Sequence, residues 1–321
     1  MKQYGLPYRG SKSRIAEAIV GHLPSGTALY DLFAGGCAVT HAAMLAGRWD
    51  RYVINDLQGD VPELFVNAIR GKYRDETRWI SRDDFLALKD TDTYVRCCWS
   101  FGNNGRDYLY GREIEPYKRA LHYAVVFDDF ELLGELCPEV YDACRVALSG
   151  MTDRSRRRVA IGRAVVSWLK AHGTAVLIMN NPLYNSCHFK GGRGQSLESL
   201  ERLQRLESLQ SLERLERLER YAADYRDIPI PKGAVVYCDP PYRNAHGYIT
   251  GAFDHEAFYT WIRDADFPVY ISEYSMPDDF VRIWAKDVCA LANQFGADGY
   301  VTEGLFVHRK WINDSWKPTL F

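Results

Sequence analysis

Regular strand–helix alternation occupies the two ends of this chain and is missing from its middle, which narrows the possible folds more than any other feature. Near the amino end, Thr27 to Phe33 reads as a strand, Gly35-Gly36 opens a helix from Ala38 to Ala46, and Arg51 to Asn55 reads as a second strand. A helical pattern follows from Val61 to Ile69. Near the other end, strands are predicted over Ala234 to Cys238, Pro268 to Ser272 and Tyr300 to His308, with helices around His255 to Asp264 and Asp278 to Lys286. From about Gly71 to Gly194 the pattern gives only mixed helices, such as Arg158 to His172, and polar loops. Two half-sheets joined through a different middle imply an α/β sheet interrupted by an inserted, mainly helical domain. The expected division is 1–70 with 216–321 as the sheet domain and 71–215 as the insert.

Composition adds boundaries. With 321 residues, 47% of them hydrophobic and 26% charged, the chain has the make-up of a globular protein. No run approaches the roughly 20 apolar residues of a membrane span. The amino terminus lacks the apolar core of a secretory signal, and the eight cysteines are scattered without zinc spacing, so a reducing cytoplasm is the expected compartment. A net charge of −2 leaves nucleic acid open as a partner, since phosphate binding needs only a local basic patch. Arg154, Arg156, Arg157 and Arg158 form one such cluster, and Lys190 and Arg193 flank a glycine-rich stretch; a solvated face is the bland alternative for either.

The chemistry concentrates where strands end. The run Ala234-Val235-Val236-Tyr237-Cys238 stops at Asp239-Pro240-Pro241-Tyr242. Proline has no N–H for a sheet ladder and fixes its own φ, so the pair halts the strand and stiffens the residues after it. The result presents a carboxylate, a free carbonyl and an aromatic ring, a set suited to a planar amine. Upstream, Asp31-Leu32-Phe33-Ala34-Gly35-Gly36 sits at a first strand–helix turn, and Asp56 follows the next strand, about 20 residues beyond the glycines, where an acid can accept ribose hydroxyls. A dinucleotide fold is the first rival, but the loop lacks G-x-G-x-x-G spacing and Asp31 would oppose a pyrophosphate. An acid there suits a cationic nucleoside such as S-adenosylmethionine.

In these motifs and their order the chain resembles the Dam-like adenine DNA methyltransferases, particularly their bacteriophage-borne branch. The resemblance rests on Pro7-Tyr8-Arg9-Gly10-Ser11-Lys12-Ser13-Arg14, Tyr30 to Gly36, Val53-Ile54-Asn55-Asp56 and Cys238 to Tyr242, with Ile271-Ser272-Glu273-Tyr274 and Thr302-Glu303-Gly304-Leu305-Phe306-Val307 later. It covers about the first 70 and last 100 residues; the middle matches only through Ser100-Phe101-Gly102 and the tyrosine-rich loop after it. The resemblance implies a Rossmann-like class I methyltransferase sheet with a target-recognition insert. It also implies an enzyme that moves a methyl group from S-adenosyl-L-methionine to the N6 amine of a flipped adenine in double-stranded DNA, without a metal.

By the same resemblance Asp239, Pro240, Pro241 and Tyr242 would be catalytic. Tyr8, Lys12, Asp31, Phe33, Ala34, Gly35, Gly36, Cys37, Asp56, Asp224, Tyr225 and Asp239 would line the cofactor. Candidate DNA contacts are Lys12, Asn103, Asn104, Arg106, Tyr108, Arg156, Arg157, Lys190, Arg193, Arg243, Asn244 and Tyr248, the last three in a loop expected over the flipped base. Asp239 and the Pro240 carbonyl would bond the two amine hydrogens, and Tyr242 would stack on the base. Two alternatives stay open: a catalytically silent nucleic-acid-binding module on a methyltransferase fold, and methylation of another amine, cytosine N4 or RNA adenine.

One pattern stands apart from these motifs. Leu197, Leu200, Leu203, Leu206, Leu209, Leu212, Leu215 and Leu218 recur every three residues, separated by Glu or Gln and then Ser or Arg. A straight helix would wind that stripe around itself, a coiled coil needs a period of about 3.5, and 3₁₀ runs rarely exceed about 4 residues. Helix is favoured on propensity. A base-reading ladder, an assembly element and a solvated spacer are the three readings.

Overall fold

The computed structural model describes residues 3–173, 181–187, 206, 216–243, 253–289 and 300–312. The chain divides into two compact units, one of Met1–Leu6, Gly10–Gly71 and Leu206–Phe321, the other of Pro7–Arg9 and Lys72–Arg205.

The first unit holds the sheet. Its strands are β1 (Gly26–Asp31), β2 (Trp49–Asn55), β3 (Leu218–Tyr221), β4 (Val235–Cys238), β5 (Val269–Glu273), β6 (Phe280–Cys289) and β7 (Tyr300–His308). They lie in the order β3-β2-β1-β4-β5-β7-β6. Neighbours from β3 through β5 are parallel, and β7 runs antiparallel to both β5 and β6. Strand order reverses between β1 and β4, and in such sheets the crevice outside the carboxyl ends at this switch point is where ligands bind. Because β7 runs the other way, its first residues lie at the same edge as the last residues of β4 and β5. This is the α/β sheet the alternation predicts, and it agrees with a Rossmann-like methyltransferase fold.

Helices α1 (Ala16–His22), α2 (Ala38–Ala46) and α3 (Asp60–Ile69) belong to this unit. The central strands are buried on both faces, which explains why Val235–Cys238 reads as a continuous apolar run. Tyr30, Val53, Val236 and Ile271 share one core with Phe258, Tyr259 and Ile262 of the helix at His255–Asp264. One expectation fails: Asp278 to Lys286 is not a helix but most of β6, which pairs with β7 from Phe280↔His308 to Cys289↔Tyr300. Phe280, Val281, Ile283 and Trp284 are strand formers, so local propensity already favours the strand that nine residues of antiparallel pairing with β7 complete.

The second unit is helical. It contains α4 (Arg82–Leu88), α5 (Thr93–Cys98), α6 (Glu115–Phe127), α7 (Glu131–Leu136), α8 (Pro138–Leu148), α9 (Arg154–His172) and α10 (Pro182–Cys187); the helix at His255–Asp264 is α11. Ala120 and Ala124 of α6, Val140 and Cys144 of α8, Ile161 and Val165 of α9 and Leu183 of α10 form its core. Arg157 enters that core rather than facing solvent. Its Nε donates to the Val125 carbonyl at 2.8 Å, Nη1 to Met151 at 2.8 Å and Nη2 to Ala124 at 2.7 Å, and Nη2 also pairs with Asp128. The expected DNA contact at Arg157 is therefore corrected: its donors tie the end of α6 to the start of α9.

Of the leucine triplets, only Leu206 and the last turn lie within the described residues; Leu206 is buried. Leu218 opens β3, paired beside β2, so the run ends in a strand rather than the favoured helix. No helix among the described residues is long and apolar enough to cross a membrane.

Candidate active site

The turn after β1 is built by backbone closure. Leu32 N–H donates to Tyr237 O at 3.0 Å and Ala34 N–H to Asn55 O at 2.9 Å, carrying the chain past β1 between its two neighbours. The Asn55 amide stitches the edge further, donating to the Leu32 and Ala223 carbonyls at 3.0 Å each. Gly35 adopts a positive φ of 44°, and its N–H donates to Asp56 Oδ2 at 2.8 Å. Cys37 is buried and left-handed at φ 55°, and it stands at the start of α2 without a side-chain capping bond. Gly5 packs under the same turn: a Cβ there would lie 2.3 Å from Gly36 O, so only glycine fits.

Acidic side chains gather along the carboxyl edge. Asp31 ends β1, Asp56 follows β2, Asp239 follows β4, Glu273 ends β5 and Glu303 stands near the start of β7. Asp31 is buried; its Oδ2 accepts from Thr40 Oγ1 at 2.7 Å, and its Oδ1 has no partner. Burial, with Asp239 and Asp56 nearby, pushes its carboxyl up to about 7. Asp56 is also raised by burial, although the N–H groups of Gln58 and Gly35 counter this. Its two oxygens accept one backbone N–H each, and each keeps a second lone pair for a hydroxyl.

Among the described residues, Lys12 brings a cation to this edge. Its Nζ lies 2.7 Å from Asp239 Oδ1, 3.6 Å from Glu303 Oε1 and 4.7 Å from the centre of the Tyr242 ring. The Tyr242 hydroxyl donates to Glu303, and the Tyr274 ring meets Tyr242 nearly at right angles at 4.6 Å. Tyr242 is thus buried and already packed, not the open stacking face expected of it. Burial pushes Asp239 up to about 6, with Lys12 pulling the other way and Glu303 adding to the rise. Glu273 is raised to about 7, again by burial, and its Oε2 has no partner. Behind the platform, His255 Nε2 lies 2.9 Å from the Pro241 carbonyl, anchoring the proline pair to α11.

Other expected positions have other surroundings. Phe33 packs against Tyr225, Phe253 and Phe258 with ring centres 5.4 to 5.7 Å apart, so Phe33 and Tyr225 share an aromatic wall. Both oxygens of Asp224 are held by the Arg226 guanidinium at 2.8 and 2.7 Å, and this pairing lowers its carboxyl. Tyr8 falls with the second unit. There, Tyr108 is buried with its hydroxyl donating to Ile80 O at 2.8 Å, so it is corrected from a DNA contact to a support of its loop. Asn103 donates to Cys97 O at 2.9 Å, and Asn104 Oδ1 accepts from the Arg106 and Asp107 N–H groups at 2.8 and 3.0 Å, shaping the loop that exposes Arg106. Arg156 is exposed on α9, and Arg243 is exposed but paired with Glu256. Lys190, Arg193, Asn244 and Tyr248 lie outside the described residues.

Glu303 and Glu273 enter the sequence motifs without a role of their own. The period-two pattern of β7 puts Glu303 in phase with Leu305 and Val307, both buried, which marks it as a buried acid needing a partner.

Among the described residues no group of His, Cys, Asp and Glu is arranged to hold a metal ion. No curated protein matches the chain. Residues 8–126 match the family model described as D12 class N6 adenine-specific DNA methyltransferase. That match takes in Lys12, Asp31, the Gly35-Gly36 turn and Asp56, runs on into the helical unit and stops short of Asp239. Over these residues, and in keeping with its sheet and acidic edge, the chain is similar to the adenine-N6 DNA methyltransferases, enzymes that use S-adenosyl-L-methionine as methyl donor.

Proposed function

We propose that Asp239, at the end of β4, receives the exocyclic amine of an adenine flipped out of double-stranded DNA, and that the turn after β1 holds the methyl donor. The observation that carries this reading is the Lys12–Asp239 pair at 2.7 Å beneath the Tyr242 ring: a half-buried carboxylate already engaged by an N–H donor at an aromatic wall.

The edge fits a cationic nucleoside. Asp31 offers a buried oxygen with no partner, and its carboxyl is raised by burial and by its acidic neighbours, so a nearby positive charge would be strongly favoured. Asp31 would hold the ammonium, Asp56 the ribose hydroxyls, and Phe33 with Tyr225 the apolar side of the adenine. S-adenosyl-L-methionine, when bound, supplies an electrophilic methyl group on a sulfonium. Everything else falls to the chain. Asp239 and the Pro240 carbonyl accept the two amine hydrogens and free the nitrogen lone pair. Lys12 keeps Asp239 ionised at neutral pH, and Asp239 Oδ1 or Oδ2 takes the proton the amine releases. Orientation and fixed charge account for the rate, as expected where the groups are held before reaction. Flipping the base costs a few kcal/mol, offset by burial in the pocket.

Exposed Arg106, Arg156 and Arg243 are the proposed phosphate contacts among the described candidates. Catalysis takes place where DNA is, in the cytoplasm of a bacterial or phage-infected cell. The test is transfer of labelled methyl from S-adenosyl-L-methionine to unmethylated duplex DNA, followed by nucleoside analysis. N6-methyladenine is expected from the wild type, and none from Asp239→Ala at equal helix content. Substantial turnover by Asp239→Ala would remove Asp239 from the mechanism; N4-methylcytosine as the product would overturn the choice of base.

A further inference from the structure

Glu303 joins the two side chains that surround Asp239. It accepts the Tyr242 hydroxyl and stands 3.6 Å from Lys12 Nζ, while the same Nζ lies 2.7 Å from Asp239 and 4.7 Å from the Tyr242 ring centre. Tyr242 also hydrogen-bonds Asp239, so the four groups close a ring of contacts: Asp239, Lys12, Glu303, Tyr242. Glu303 reaches it from β7, an element remote in sequence whose reversed direction brings its first residues to the carboxyl edge. A buried glutamate on a strand face otherwise lined by Leu305 and Val307 is costly unless paired, and both of its partners here belong to the reactive pocket.

We propose that Glu303 is a positioning residue for methyl transfer: it holds Lys12 and Tyr242 in place and shares the lysine charge with Asp239. This rests on the reading of Asp239 given above. While Lys12 belongs wholly to Asp239, the amine must compete with an ammonium for the same carboxylate. A second carboxylate within reach gives Lys12 somewhere to stay as Asp239 turns to the base. The pinned hydroxyl fixes the Tyr242 ring that forms the wall of the same space. Around this ring stand Glu273 and Tyr274 from β5 and the segment after it, Asp31 from β1 and Tyr237 from β4, all of which bear on its charge balance. Glu303 raises the Asp239 carboxyl and Lys12 lowers it, so removing the Glu303 charge leaves the lysine unopposed.

The test is the pH profile of kcat for methyl transfer to duplex DNA, with KM for the methyl donor measured alongside. Glu303→Gln is expected to lower kcat by up to about 100-fold through misplacement, to leave donor KM nearly unchanged, and to move the acid limb to lower pH by about one pH unit. Glu303→Asp, which keeps the charge, is expected to leave the acid limb in place. Tyr242→Phe, which removes a hydroxyl that lowers the Asp239 carboxyl, should move the limb the opposite way, to higher pH, while lowering kcat. An acid limb that does not move in Glu303→Gln, or that moves equally in Glu303→Asp, overturns the proposal. If Glu303→Gln does not fold, the Glu303→Asp profile alone decides, since a shifted limb with charge retained contradicts charge sharing. Asp239→Asn in the same assay separates the two readings: activity there defeats the role of Asp239 itself, whereas its loss beside an unmoved Glu303→Gln limb defeats only that of Glu303.

Discussion

The two units of the chain treat buried charge in opposite ways. In the helical unit, Arg157 is buried with its guanidinium donating to three carbonyls and one carboxylate, and Lys118 is buried with Nζ donating to Ser186 O over the Tyr110 ring. At the carboxyl edge of the sheet, Asp31 and Glu273 each keep a buried oxygen with no partner, and burial raises both carboxyls to about 7. Saturated buried charge fixes one packing arrangement; under-compensated charge of one sign is a stored demand for a ligand of the other. The difference teaches where to look for chemistry, because both regions are equally buried and only the balance of partners tells them apart.

The contrast can be broken by exchanging the consequences of mutation. Asp239→Asn should cost methyl transfer at least about 100- to 1,000-fold, by analogy with loss of one transition-state hydrogen-bond partner, while leaving unfolding free energy equal or higher, as is common when a functional charge is removed. Arg157→Leu should do the reverse. Breaking its bonds leaves the Ala124, Val125 and Met151 carbonyls without their donor, a loss of about 1–3 kcal/mol in denaturant unfolding, with activity per folded molecule retained. If both variants lose activity and stability together, the two regions do not differ as described.

A smaller effect sharpens the contrast through pH. The Asp31 carboxyl rises from 3.8 to about 7 on folding, Glu273 from 4.5 to about 7 and Asp239 from 3.8 to about 6. Carboxyls raised on folding bind more protons in the folded state, so their contribution makes stability increase as pH falls from about 7 toward about 4. Asp84, Asp224 and Asp279 are lowered by their hydrogen-bond partners, and their contribution is lost only when pH falls below the ordinary carboxylate range. His122, lowered by burial, opposes the trend below its ordinary value, against the raised Asp31, Asp56, Asp239 and Glu273. The ligand-free chain should therefore melt higher at about pH 5.5 than at about pH 7.5, and Asp31→Asn should flatten that slope. A slope unchanged by Asp31→Asn would assign the pH dependence elsewhere.

The least change is expected from Ser81→Ala. Ser81 Oγ accepts from Asp84 N and Asp84 Oδ2 accepts from Ser81 N, each at 3.1 Å, closing a capping box on α4. Its loss should cost about 1 kcal/mol in unfolding and leave both the pH slope and the methyl-transfer rate as they are.

Much of the sheet is legible in the sequence because its central strands read as apolar runs, β1 followed by the Gly35-Gly36 turn and β4 by a proline pair. The helix at Ala38–Ala46 and the strand at Tyr300–His308 have the bounds the pattern predicts. β6 is misread although Phe280, Val281, Ile283 and Trp284 favour a strand, because the aspartates before them suggest a helix start and the partner β7 lies across a gap in sequence. Arg157 is misread for a subtler reason. Proximity groups it with Arg154, Arg156 and Arg158, although Arg157, Ile161, Val165 and Leu169 repeat at four-residue spacing on the buried face of α9. The helical period holds the answer. The site is legible as a set of strand-end acids, since Asp31, Asp56 and Asp239 each follow an apolar run. That Lys12 binds Asp239, and that Glu303 supports both Lys12 and Tyr242, depends on side-chain packing between segments far apart in the chain.

That the sheet edge is an acidic pocket built for a cation is tested most directly by calorimetric titration of S-adenosyl-L-methionine into the ligand-free protein. The titration is run near pH 7 in two buffers of different ionisation enthalpy. Binding a cation beside carboxyls whose values lie near 7 must drive protons off them. Net proton release to the buffer, reduced in Asp31→Asn, is the expected result. Binding with no proton release, or with uptake, would contradict it.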